Sequence, residues 1–112
     1  MIEHPNEYQK QTGLTAVYPK DHALEYLTLG LAGESGEVAN KVKKIIRGDY
    51  SSELTPEVKE QVILELGDVL WYAAQIASLL DTRLSTVMEK NLLKLQQRQT
   101  AGTLKGDSRG AE

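Results

Sequence analysis

Four carboxylates carry the strongest chemical signal in this chain: Glu34 and Glu37 in the stretch GLAGESGEV, and Glu65 and Asp68 in LELGDVLWY. Each pair is spaced three residues apart, which on a helix is one turn and nearly one face. Both pairs sit where acids do not belong. At roughly 100° per residue, Leu24, Leu27, Leu31, Val38, Val42 and Ile45 form one apolar stripe, with Glu34 near its middle and Glu37 about 60° to one side. In the second stretch Val62, Leu66, Val69, Ala73, Ile76 and Leu80 make the stripe, and Ile63, Leu64, Leu70 and Leu79 make the helix apolar almost all round, as in a central helix. Between Val62 and Leu80 the only charged residues are Glu65 and Asp68. Buried carboxylates are paired, protonated or bound to a cation, and all-oxygen donors suit a hard ion, Mg2+ or in its place Mn2+.

One Glu-x-x-Glu by itself is ordinarily a solvated helix face, and Glu37 can pair with Lys41 at i to i+4. Two acidic pairs, both on apolar stripes, argue for a site. Gly30, Gly33 and Gly36 recur every third residue on the first of these helices and Gly67 lies within the second motif. Each costs about 1 kcal/mol relative to Ala inside a helix. Close helix approach or room for a ligand would compensate.

The elements that must position the acids follow from the local signals. Residues 5–13 read as a short helix, with Pro5 in its first turn and Gly13 as its stop. Asp21 is the expected N-cap of a long second helix reaching Arg47, where Lys43, Lys44 and Arg47 favour the C-terminal dipole and Gly48 ends it. After a polar loop over 49–54, Thr55 as N-cap and Pro56 at the first position start a third helix running to about Leu80. Ser85 is the expected cap of a fourth, which ends near Gln99. A glycine-containing tail covers 100–112, so the domain proper is 1–99. No strand pattern survives, and the fold class is all-α with four helices, two long and two short.

With 112 residues the chain makes one domain with a modest core. A net charge of −3 and a pI near 5.4 give no basic face for nucleic acid. The absence of cysteine excludes disulfides and thiolate chemistry. No uninterrupted apolar run reaches the roughly 18 residues of a membrane span and no signal pattern opens the chain, so a cytoplasmic protein without a membrane partner is the expectation. A third helix that is apolar on every side predicts a homo-oligomer, a dimer or tetramer, with that helix, Tyr50 and Trp71 as interface candidates.

The motif pair and its neighbourhood, LGLAGESGEVANKVKKIIRGD followed by ELGDVLWYAAQIA, resemble the all-α nucleoside triphosphate pyrophosphohydrolase superfamily, the MazG-like family. NLLKLQQRQTAGTLKG is similar to the last helix and tail of its members, and the likeness spans residues 6–109. It implies a Mg2+-dependent enzyme that cleaves a nucleoside triphosphate substrate between its α- and β-phosphates to a monophosphate and pyrophosphate. Carried over, Glu34, Glu37, Glu65 and Asp68 hold the metal and form the catalytic set. Asn91, Lys94 and Arg98 contact phosphates, and Tyr72 faces the nucleotide.

Phosphoryl chemistry agrees with that set, since it needs charge neutralisation and a positioned water. Lys94 and Arg98 lie four apart on one helix edge, with Lys41 and Lys44 as secondary phosphate contacts. Trp71, Tyr72, Tyr8 and His22 are candidates to meet a base. Lys105, Asp107 and Arg109 are weaker ones in a tail that only approximates the family's ending. The rivals are a dUTP pyrophosphatase or a phosphoribosyl-ATP pyrophosphohydrolase within the enzyme class, and a non-catalytic helical adaptor outside it. A ferritin-like di-iron bundle is not among them, because its Glu-x-x-His signature has no counterpart here.

Overall fold

A computed structural model describes residues 4–48 and 53–102. The expectations placed on Tyr50, Lys105, Asp107, Arg109 and the tail from 103 onward lie outside these residues. The elements are α1 (Pro5–Thr12), a 3-10 turn (Gly13–Thr15), α2 (Ala23–Arg47), α3 (Pro56–Leu79) and α4 (Leu84–Ala101), with no strand among the described residues.

Three helix ends follow local chemistry. Thr55 Oγ1 accepts from the Val58 amide at 3.3 Å, with Pro56 in the first turn of α3. Gly48 at φ 93° and Gly102 at φ 77° close α2 and α4 in the left-handed region that favours glycine. Two starts differ from expectation. α2 is preceded not by Asp21 but by His22, itself left-handed at φ 62°, whose carbonyl accepts from the Tyr26 amide at 2.9 Å. Ala23 and Leu27 are buried, so packing, rather than the best capping side chain, sets where this helix begins.

α4 starts one residue before Ser85, and its caps come from α1. Gln9 Oε1 accepts from the Leu84 amide at 2.7 Å, and Asn6 Oδ1 accepts from the Ser85 amide at 2.9 Å. Gln9 Nε2 also donates to Ser78 Oγ at 3.0 Å and to the Thr82 carbonyl at 2.9 Å. One buried side chain thus ties α1 to the end of α3 and the start of α4. Gln9→Ala strands a buried donor and acceptor and is expected to cost about 2–4 kcal/mol. Urea denaturation measures it, with Asn6→Ala as the milder comparison.

α2 and α3 run antiparallel. Glu34 faces Asp68 and, one turn earlier on α2, Gly30 faces Tyr72, one turn later on α3. α1 lies on the C-terminal half of α3, where buried Gln75 donates to Thr12 Oγ1 at 2.7 Å and accepts from the Tyr18 hydroxyl at 3.1 Å. Leu27 and Val58 are the largest fully buried side chains.

Within one protomer α3 is not covered on all sides, as the sequence reading of this helix expects. Leu66 and Leu80, read as stripe positions, are 56% and 60% exposed, because α2 and α1 cover only part of the helix girth. With a mean hydropathy of 1.3 over its most apolar stretch, α3 is long and apolar enough to cross a membrane by length and composition, a test that the core helix of a soluble protein also passes.

Candidate active site

The antiparallel register of α2 and α3 gathers carboxylates from both helices. One oxygen each from Glu34, Glu65 and Asp68 lies within 4.8 Å of the other two. Glu34 and Glu65 are half-buried and Asp68 is exposed. Glu37, the fourth expected member, stands outside this group. It is exposed and borders a second hollow of about 370 Å³ with Gly36, Asn40 and Lys43. Its charge nevertheless reaches Glu34.

Electrostatics singles out Glu34 among the three. Desolvation and the charges of Asp68, Glu65 and Glu37 push the Glu34 carboxyl above its ordinary value, and a hydrogen bond with Asp68 adds to the rise. The donor set fits a hard divalent ion: all the donors are carboxylate oxygens, the ligands such ions prefer, and one from each residue lies within 4.8 Å of the other two.

A pH dependence follows. Because the folded state raises the pKa of Glu34, it binds more protons than the unfolded chain, so this group's contribution to stability falls as pH rises. The window runs from the ordinary glutamate value, about 4.3, up through the raised one. Metal-free protein should therefore melt lower as pH climbs through that window, and Glu34→Gln should flatten the slope. Thermal melts in chelator across the pH series measure this.

Beside the acids lies a cavity of about 390 Å³ lined by Thr15, Glu34, Asp68, Trp71 and Tyr72. The Tyr72 ring lies against Gly30, where a Cβ would overlap it. Burial, then Tyr26, which is hydrogen-bonded to it, and the Glu34 and Asp68 charges raise the Tyr72 phenol above its usual value. Burial and Asp68 do the same to Tyr8 on α1. Two neutral phenols therefore flank the carboxylates.

Of the other expected contacts, Asn91 and Lys94 are exposed and Arg98 is half-buried on α4, and none of them lines the cavity. Lys41 and Lys44 are half-buried on α2 and do not line it either. His22 contacts Glu25 at 3.3 Å instead of the acids. Thr15 was not foreseen; it lies on a 3-10 turn, where apolar periodicity carries no signal.

Comparison with known proteins agrees with this geometry. Residues 22–102 match the MazG nucleotide pyrophosphohydrolase domain. The chain is 47% identical over 109 residues to the Gene 37 protein of Mycobacterium phage L5, covering 92% of this chain and 95% of that one. No solved structure gives a significant match.

Proposed function

Because this chain belongs to the family of the MazG nucleotide pyrophosphohydrolase domain, we propose that it hydrolyses a nucleoside triphosphate, ribo or deoxyribo, between the α- and β-phosphates, yielding a monophosphate and pyrophosphate. The observation that carries the reading is the convergence of Glu34, Glu65 and Asp68 from two helices beside an aromatic-walled cavity.

In this reading Glu34, Glu65 and Asp68 hold Mg2+, with Mn2+ as a substitute. The bound ion supplies Lewis acidity and neutralises charge on the phosphates. Glu37, apart from the three yet within their field, orients the attacking water and accepts its proton. Tyr8 and Tyr72, kept protonated, offer hydroxyls beside the cluster without adding charge.

Asn91, Lys94 and Arg98 are assigned to the phosphates in a homo-oligomer, where α4 of one protomer approaches the cavity of another. Exposed Ile63, Leu64 and Leu70 on α3 and Val87 and Met88 on α4 support such an assembly. Mixing inactive Asp68→Asn and Lys94→Ala protomers should then restore turnover, whereas a site confined to one chain gives no recovery. The cytoplasm is the proposed compartment.

Product analysis tests the activity. Purified protein with Mg2+ and a panel of triphosphates should release pyrophosphate and monophosphate. Orthophosphate with diphosphate would place the cut elsewhere, and no turnover across the panel would defeat the reading.

A further inference from the structure

Thr15 and Trp71 give the cavity a lining chemically distinct from its acids. Trp71, the chain's single tryptophan, is half-buried, and its indole Nε1 donates to Thr15 Oγ1 at 2.9 Å. Thr15 Oγ1 in turn donates to the Thr12 carbonyl at 3.2 Å. The hydroxyl of Thr12 accepts from Gln75 and donates to the Gln9 carbonyl at 2.6 Å. The indole edge is thus moored through α1 to the buried polar network of the fold. Tyr72 braces the indole in an edge contact, ring centroids 5.0 Å apart and planes at 78°.

This mooring has a chemical consequence. The only donor of the indole is used inside the protein, and the one hydroxyl proton of Thr15 is used as well. Apart from the second lone pair of Thr15 Oγ1, what Trp71 and Thr15 can still offer a ligand is an aromatic face. An aromatic face accepts any base but holds the larger ring system better, since stacking follows overlapped area. Trp71 follows Asp68 by three residues, about 4.5 Å along α3, so phosphates at the carboxylates leave a sugar's length to reach it.

We infer that Trp71, held by Thr15, is the stacking platform for the nucleobase, and that this wall selects by ring size, favouring purine over pyrimidine nucleotides, rather than by hydrogen bonds to the base. Trp71 is the binding residue and Thr15 its positioning residue. The inference rests on the nucleotide reading of the site, but its readout does not depend on hydrolysis.

Because Trp71 is the only tryptophan, its emission reports on this wall alone. Titration of the whole protein with dAMP, dGMP, dCMP and dTMP in Mg2+ should quench or shift that emission, with dissociation constants for the purines several-fold below those for the pyrimidines. Trp71→Leu, followed by calorimetry, should weaken dAMP roughly ten- to hundredfold. Thr15→Val should weaken it about three- to tenfold, and Thr15→Ser should restore it, which a merely structural role for Thr15 does not predict.

Equal or reversed preference between purines and pyrimidines overturns the inference. So does emission that ignores nucleotide but changes on dilution, which would put Trp71 in a contact between protomers. Pyrophosphate release measured on the same preparation separates the two readings: turnover without quenching defeats the platform alone, and quenching without turnover defeats the hydrolase alone.

Discussion

Glu65→Gln and Asp68→Asn should each lower pyrophosphate release at least about a thousandfold, roughly 4 kcal/mol of transition-state stabilisation, while leaving the metal-free protein no less stable. Each substitution keeps side-chain size and removes one charge from a group whose oxygens crowd within 4.8 Å. Burial first, and then the charges of Asp68 and Glu65, push the Glu34 carboxyl above its ordinary value, so neutralising either neighbour relieves the repulsive part of that cost. The two readouts therefore move apart: turnover collapses, and the melting temperature in chelator holds or rises. A structural cluster would show loss of stability with loss of activity. Glu37→Gln should cost less, on the order of 10²-fold, because Glu37 lies outside the three and is assigned to water.

Gly30→Ala carries the second large effect. A methyl at Gly30 would overlap the Tyr72 ring at Cε1 and Cζ and would lie 2.8 Å from Cδ1, also inside contact distance. Overpacking of this kind costs about 1–3 kcal/mol, against a helix-propensity gain of up to about 1 kcal/mol. The ring must swing, which moves Tyr72 relative to Tyr26 and the acids and disturbs the cavity it lines. Lower stability and a raised KM for nucleotide are the expected results. Tyr72→Ala in the same chain should recover part of the stability, so a double-mutant cycle gives a coupling of opposite sign to the single losses. Gly33→Ala is the internal control: a Cβ there meets nothing within 4 Å in the protomer, and the variant should gain stability through propensity alone.

The glycines also show where sequence reading stops. Their spacing called for a compensation, and Gly30 has one in the Tyr72 ring, whereas Gly33, Gly36 and Gly67 face open space within the protomer. The acids were legible because Glu34, Glu65 and Asp68 interrupt apolar stripes, and periodicity alone exposes that conflict. Glu37 shares their three-residue spacing but lies roughly 60° round the helix from Glu34 and is not among the three whose oxygens lie within 4.8 Å. Thr55, Pro56 and Gly48 act on their own helix ends and could be read locally.

Asn6 and Gln9 could not. They cap α4 from 79 and 75 residues away, and nothing in the local pattern announces it. The same holds for the Thr15–Trp71 bond, which spans 56 residues. Leu66 and Leu80 show a further limit: a stripe tells which face is apolar, not what covers it.

The most direct measurement is calorimetric titration of Mg2+ into the wild-type protein and into Asp68→Asn, with thermal melts of both alongside. The account predicts saturable binding to the wild type and a melting temperature that rises with Mg2+, about 2.7 kcal/mol of stabilisation at a hundred times the dissociation constant. Both should be largely lost in the variant. Equal binding to the two proteins, or none to the wild type even with nucleotide present, would contradict it.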